Sequence, residues 1–247
     1  MARRNQRIEI RESLEVLSRA LAADLADQIA ESVAAREICS LALSGGNTPQ
    51  TLHRILAGEF REQIPWDKIH FFWGDERYVP LDDEQSNFLM AKKTLFRFLE
   101  IDDSQIHPVP TQLKTSADAA RRYEEEIRKF FGESGPTLDI VLLGLGGDGH
   151  TASLFPGNPV LKEQSRLVAP VCHSPKPPPD RITFTYPLIN RTRRIHFLVS
   201  GAGKAEAVRR CLENEPDIKQ TPAAGIAPRS GELVWWLDDE AAKYLLV

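Results

Sequence analysis

Apolar residues recur at steps of three and four near the start of the chain: Leu14, Leu17, Leu21, Leu25, Ile29 and Val33. That spacing makes one stripe of an amphipathic helix, predicted over 12–35, whose apolar face packs into a core. The pattern then changes. Short continuous apolar runs at 38–43, 68–73, 139–143, 195–199 and 233–237 read as buried strands. Helical patterns lie between them, at 49–57, 86–99, 115–131, 203–213 and 239–246. Strands alternating with helices predict an α/β fold, a mostly parallel sheet flanked by helices on both faces. The run Ser174-Pro-Lys-Pro-Pro-Pro179 can be neither helix nor central strand. It is expected as a surface loop before a strand at 182–185. No repeat, low-complexity tract or linker divides the chain, so residues 1–247 are expected to form a single domain.

Composition narrows the classes. The chain is 42% hydrophobic and 27% charged, enough core to exclude a disordered protein. A net charge of −4 lacks the basic excess of a nucleic-acid binder. No run approaches the roughly 20 apolar residues of a membrane-spanning helix. Neither nucleic acid nor membrane is an expected partner. The start of the chain is basic and then amphipathic, without the apolar centre of a signal peptide. Arg3, Arg4 and Arg7 hint at a transit peptide, but Glu9, Glu12 and Glu15 follow too closely. Cys39, Cys172 and Cys211 suit neither a disulfide framework nor a zinc cluster, so no metal is expected. A cytoplasmic protein is expected, and a monomer, since no apolar stripe is left unexplained.

Candidate chemistry sits just after strands, at 44–48, 74–77, 144–150 and 200–204. In an open parallel sheet ligands bind outside the carboxyl ends of the strands, so these four loops should share one crevice. The first loop, Ser44-Gly45-Gly46-Asn47-Thr48-Pro49, joins a strand to a helix. Its paired glycines let backbone approach a ligand, and free amides at a helix start suit a phosphate. A tight turn with Thr48 as helix cap would explain the same residues. The stretch around Ser44 also resembles a degenerate nucleophile elbow. Only 43 residues precede it, too few for the strands and oxyanion loop that should come first, so Ser44 is rejected as a nucleophile.

The second loop places Asp75, Glu76 and Arg77 after the apolar run Ile69–Trp73. Arg77 offers a planar fork for a phosphate, an adjacent carboxylate can orient it, and Asn87 could close the corner. The third loop is the strongest signal: a buried strand runs into Gly144-Leu-Gly146-Gly147-Asp148-Gly149-His150. Gly144, Gly146 and Gly149 formally spell a dinucleotide fingerprint, but Pro156-Gly157 cuts short the helix that motif needs. His150 is instead a candidate acid or base, with Asp148 placed to fix its tautomer. In the fourth loop, Ser200-Gly-Ala-Gly-Lys204, Phe197 and Ala205 occupy the positions where a P-loop needs Gly and Ser or Thr. Lys204 remains as a point charge for a phosphate, and Arg181 is a second basic candidate that could equally be a surface charge. Together these residues predict general-base chemistry on a small phosphorylated metabolite, without a cofactor.

At these residues the sequence closely resembles the 6-phosphogluconolactonase family. The matching segments are LALSGGNTP at 41–49, HFFWGDERYVP at 70–80 and DIVLLGLGGDGHTASLFPG at 139–157. RITFTYPLIN at 181–190, SGAGK at 200–204 and GELVWWLDDEAA at 231–242 continue them. The resemblance implies a Rossmann-like fold shared with glucosamine-6-phosphate deaminases and ribose-5-phosphate isomerases. It implies hydrolysis of 6-phospho-D-glucono-1,5-lactone to 6-phosphogluconate, with no cofactor. By the same resemblance His150 is the general base and Asp148 orients it. Arg77 and Lys204, with the amides of 44–48, hold the phosphate. Asp75 and Glu76 organise the site or contact sugar hydroxyls. Backbone amides of the Gly146–Gly149 turn are a hypothesis for the oxyanion site.

Two rivals remain at this point. Amino-sugar phosphate deaminases resemble the chain at Asp75 and at Asp148-Gly-His150, then carry a Phe-Asn-Glu-Pro run whose Glu does acid/base work. Here the stretch is Ser153-Leu-Phe-Pro156, without that carboxylate. A non-catalytic sugar-phosphate sensor would need a helix-turn-helix segment, whereas the first 37 residues read as a single helix.

Overall fold

The apolar runs pair with one another. The structure, a computed structural model, describes residues 6–212 and 216–245. In chain order the elements begin β1 (Gln6–Arg11), α1 (Leu14–Arg36), β2 (Cys39–Leu43), α2 (Thr48–Gly58), β3 (Ile69–Trp73) and β4 (Asp75–Arg77). Then follow α3 (Asn87–Thr94), α4 (Ser116–Phe131), β5 (Ile140–Leu143), β6 (Val168–Val171) and β7 (Arg181–Phe184). The chain closes with α5 (Tyr186–Ile189), β8 (Arg194–Val199), α6 (Ala205–Leu212), β9 (Glu232–Asp238) and α7 (Asp239–Ala242). Six strands form one sheet in the order β1-β9-β8-β5-β2-β3, with every neighbouring pair parallel. Every residue of β2 and β5 is buried, so both faces of the sheet are covered, as continuous apolar strands require. No helix among the described residues is long and apolar enough to cross a membrane.

Several elements differ from the sequence reading. The first 37 residues hold not a helix alone but also β1, an edge strand that sets Ile8 beside Trp235 and Ile10 beside Leu237. Gly74–Arg77 is not simply a loop, because Asp75–Arg77 is β4, a member of a second, antiparallel sheet in the order β4-β7-β6. In that sheet β6 contains Pro170, which hid it from the apolar pattern. The helix expected over 86–99 ends at Thr94 and continues as a 3₁₀ turn at Phe96–Phe98. The one expected from 203 begins at Ala205, after a 3₁₀ turn at Ala202–Lys204, and the last helix stops at Ala242. Positions 213 and 246, where two helices were expected to end, lie outside the described residues, as do Arg3 and Arg4.

At the end of the sheet away from the strand carboxyl ends, Asp139 ties β2 to β5. Its Oδ2 accepts the Ser40 amide at 2.9 Å and the Ser40 hydroxyl at 2.8 Å, and Arg36 meets its Oδ1 at 2.7 Å. The Asp139 amide donates back to Ser40 Oγ at 2.9 Å. Removing a carboxylate so engaged leaves buried donors and a cation unpaired. Asp139→Ala is therefore expected to lower the unfolding free energy by about 3 kcal/mol in urea titrations. A loss below about 0.5 kcal/mol, the range of neutral surface changes, would contradict this.

Candidate active site

The chain leaves the parallel sheet at Gly74. Its amide donates to Leu43 O at the end of β2 (3.0 Å), while its carbonyl accepts from Phe184 of β7 (2.8 Å). From there Asp75, Glu76 and Arg77 pair with Thr183, Ile182 and Arg181. Side chains alternate along a strand, so Asp75 and Arg77 share a face and Glu76 takes the other. Asp75 and Arg77 line a cavity at the carboxyl ends of β2, β5 and β8, together with Ser44, Gly45, Gly46, Thr48, His150, Arg181 and Lys204.

Glu76 and Asn87 do not line it, which corrects their expected place in the crevice. Buried Glu76 accepts the amides of Arg77 (2.7 Å), Asn87 (2.7 Å) and Phe88 (2.8 Å) and the Ser86 hydroxyl (3.2 Å). It thereby anchors the start of α3 to β4. Burial pushes its pKa up to about 7, against the pull of those amides. Asn87 supports the site from behind: its side-chain amide donates to Asp75 O at 2.8 Å and packs against Gly45, where a Cβ would lie 1.9 Å from Asn87 Oδ1. Asp75 itself is held by Ser153, whose hydroxyl donates to Oδ2 at 2.7 Å.

The third loop curls so that Gly146 N donates to His150 O (2.8 Å) and Gly149 N to Gly146 O (2.9 Å), with Gly149 at φ +90°. Of the four amides hypothesised for the oxyanion, those of Gly146 and Gly149 are thus spent inside the turn. The curl brings His150 Nδ1 to 2.5 Å from Asp148 Oδ1. Burial opposes the Asp148 charge, but the hydrogen bond and charge of His150, with Lys176 nearby, hold its pKa well below the usual carboxylate range. Asp148 stands behind His150 rather than on the cavity wall. An ionised Asp148 makes Nδ1 the donor, which puts the lone pair on Nε2. Nε2 makes no protein hydrogen bond among the described residues and is not buried. Phe155 packs on the imidazole at 4.6 Å.

The rest of the wall is basic. Arg77 gives Nη1 to Gln85 O (2.7 Å), while its buried Nε has no partner among the described residues. Arg181, left open above as a surface charge, is 5% exposed and donates to Pro178 O (3.2 Å) and Pro177 O (2.9 Å). Burial lowers the Lys204 pKa, and neighbouring Lys176 lowers it further. The residue before α2 is Asn47, with no side-chain cap, so Thr48 is not the cap. By contrast α1, α3, α4 and α7 are all capped by side chains. Pro49 has no N–H and the Gln50 amide donates to Asn47 O (3.1 Å), so the α2 start offers the cavity the amide of Thr48. Ser44, on the same wall, makes no side-chain hydrogen bond among the described residues. Asp75 is the only carboxylate on the cavity wall among the described residues. Sequence reasoning missed Lys176, the one cation inside the proline run, which also lines the cavity.

Residues 12–235 match the family of glucosamine-6-phosphate isomerases and 6-phosphogluconolactonases. The chain belongs to this family. Within it, the 6-phosphogluconolactonase of Synechocystis is 45% identical over 221 residues, covering 88% of this chain and 89% of that protein. The 6-phosphogluconolactonase structure from Trypanosoma brucei superposes with a TM-score of 0.83 at 31% identity, over 97% of this chain and 98% of that one. A monomeric glucosamine-6-phosphate deaminase shares the fold, with a TM-score of 0.82 at 25% identity over 97% and 100% of the two chains. The mostly parallel α/β architecture is thus that of the family.

Gly146 gives the sharpest test of this geometry. A Cβ there would lie 2.0 Å from His150 Nδ1 and 2.4 Å from Asp148 Oδ1. Gly146→Ala should displace the imidazole and lower kcat/KM by about a hundredfold or more, with thermal stability little changed. Wild-type kinetics in that variant would show that the close packing of the turn does not position His150.

Proposed function

We propose that the protein hydrolyses 6-phospho-D-glucono-1,5-lactone to 6-phospho-D-gluconate, a step of the oxidative pentose phosphate pathway, by general-base activation of water and without a cofactor. The observation that carries this reading is the free Nε2 of His150, backed by Asp148, on a wall otherwise rich in cations. Arg77, Lys204 and the amides of 44–48 hold the phosphate and fix the ring. Water bound at Nε2 attacks C1 of the lactone and gives its proton to the imidazole, while the carbonyl electron pair moves onto the exocyclic oxygen. When that pair returns, the bond from C1 to the ring oxygen breaks, and the ring oxygen leaves as a hydroxyl with the proton from Nε2. Asp148 stabilises the imidazolium between the two steps. Asp75, tied to Ser153 and Asn87, organises the wall and faces the sugar hydroxyls.

A deaminase needs a further acid/base group, and this wall offers no carboxylate besides Asp75 among the described residues, with Phe155 against the imidazole face. We propose a monomer, because the sequence leaves no apolar stripe unexplained, and a cytoplasmic location, which suits three cysteines that make no disulfide framework.

The test is acid release from freshly generated lactone in a pH-stat, with wild type, His150→Ala and an enzyme-free blank, since this lactone opens spontaneously. Wild type should accelerate the reaction, and His150→Ala should lose about 10²–10⁴-fold of that rate, the usual worth of a general base. Retained acceleration in the variant would move the base to Asp75. No acceleration by wild type would sink the lactonase reading, and ammonia release from glucosamine 6-phosphate would then favour the deaminase.

A further inference from the structure

The proline run carries one lysine, Lys176, onto the cavity wall. Its backbone is held from two sides. Ser174 closes the run on itself, through its amide to Pro179 O (2.8 Å) and its hydroxyl to Lys176 O (2.9 Å). The buried guanidinium of Arg181 bonds the carbonyls of Pro177 and Pro178. Prolines at 175 and 177–179 remove most of the remaining backbone freedom. A cation on such a strap is placed rather than loose.

Its ammonium lies 3.3 Å from His150 Nδ1 and 3.4 Å from Asp148 Oδ2. Nδ1 already donates to Asp148 and cannot accept a second proton. The contact to Oδ2 is long for a charge-assisted bond, which closes to about 2.7–2.9 Å. Among the described residues its three ammonium donors therefore have one weak acceptor, directly beside the imidazole that activates water. Arg77, on β4, and the α2 start lie elsewhere on the same wall.

We propose that Lys176 is the cation for the C1 end of the substrate: it stabilises the oxyanion formed as water adds, holds the product carboxylate, and selects ligands that carry negative charge at C1. The proposal rests on the lactonase reading and supplies the oxyanion partner that the Gly146 and Gly149 amides cannot. In the hydrolysis written above, the exocyclic oxygen that receives the carbonyl pair meets the Lys176 ammonium. No proton need leave the lysine, and the carboxylic acid formed at collapse ionises to a carboxylate against the same charge.

Two ligands that differ only at C1 separate this from a phosphate-binding role: 6-phosphogluconate, with a carboxylate, and glucitol 6-phosphate, with a hydroxymethyl group. Calorimetric affinities for both, and lactone kinetics, would be measured for wild type, Lys176→Met, Lys176→Arg and Lys204→Met. Lys176→Met should lower kcat about 10²-fold, as loss of an oxyanion donor does elsewhere, with KM changed less than about threefold. It should weaken 6-phosphogluconate about tenfold or more and leave glucitol 6-phosphate unchanged, with Lys176→Arg recovering part of both effects. Lys204→Met should weaken the two ligands alike. Equal weakening of both ligands by Lys176→Met, or no change in either, would overturn the proposal. Wild type without lactone turnover would defeat the lactonase reading instead, while the ligand pair would still report whether Lys176 reads charge at C1.

Discussion

The hydrogen bond from His150 Nδ1 to Asp148 exists because residue 146 has no side chain. The turn is so tight that the imidazole and the carboxylate both occupy the space a Cβ would need. Its backbone closes through Gly146 to His150 and Gly149 to Gly146, and the positive φ of Gly149 suits glycine alone among common residues. Phe155 then fills the face of the ring. The result is an imidazole with one tautomer and one orientation, and it needs no further residue to aim it. Everything else on the wall acts on what that ring can reach.

Charge is the second constraint. Arg77 and Arg181 stand opposite each other in the small antiparallel sheet. Like charges placed so are unfavourable, and Arg181 also loses hydration by burial. Asp75 Oδ2 lies 4.0 Å from Arg181 Nη1 and compensates in part. The carbonyls of the proline run take Nε and Nη2 of Arg181, while the buried Nε of Arg77 has no partner among the described residues. With Lys176, Lys204 and the uncapped α2 start, the cavity carries positive charge that the protein alone does not neutralise. An anionic ligand relieves that, which is why a phosphorylated substrate suits the site better than a neutral one.

The central strands of the parallel sheet were legible because strands buried on both faces leave continuous apolar runs. The edge strand β1 was not, since Ile8 and Ile10 alternate with charged residues that stay partly exposed. The first, third and fourth loops could be read as parts of one rim from their position after such strands. Asp75-Glu76-Arg77 was harder. Read as a loop, its three charges look equivalent; read as a strand, period-two alternation sends Asp75 and Arg77 to the cavity and Glu76 to α3. Lys176 was hidden for a different reason. Proline runs signal an exposed loop, and only the buried Arg181 guanidinium, five positions on, shows that this loop is drawn back over the site.

The hydrogen bond to Asp148 puts the proton of the neutral His150 ring on Nδ1 and its lone pair on Nε2. Nitrogen-15 NMR of the ring nitrogens reads this directly, and with six histidines in the chain a His150→Gln sample assigns the signals. In the neutral ring Nδ1 should be protonated and coupled to its hydrogen, with Nε2 unprotonated. A proton found on Nε2 would mean that Asp148 does not set the tautomer, and His150 could not then act as the base described.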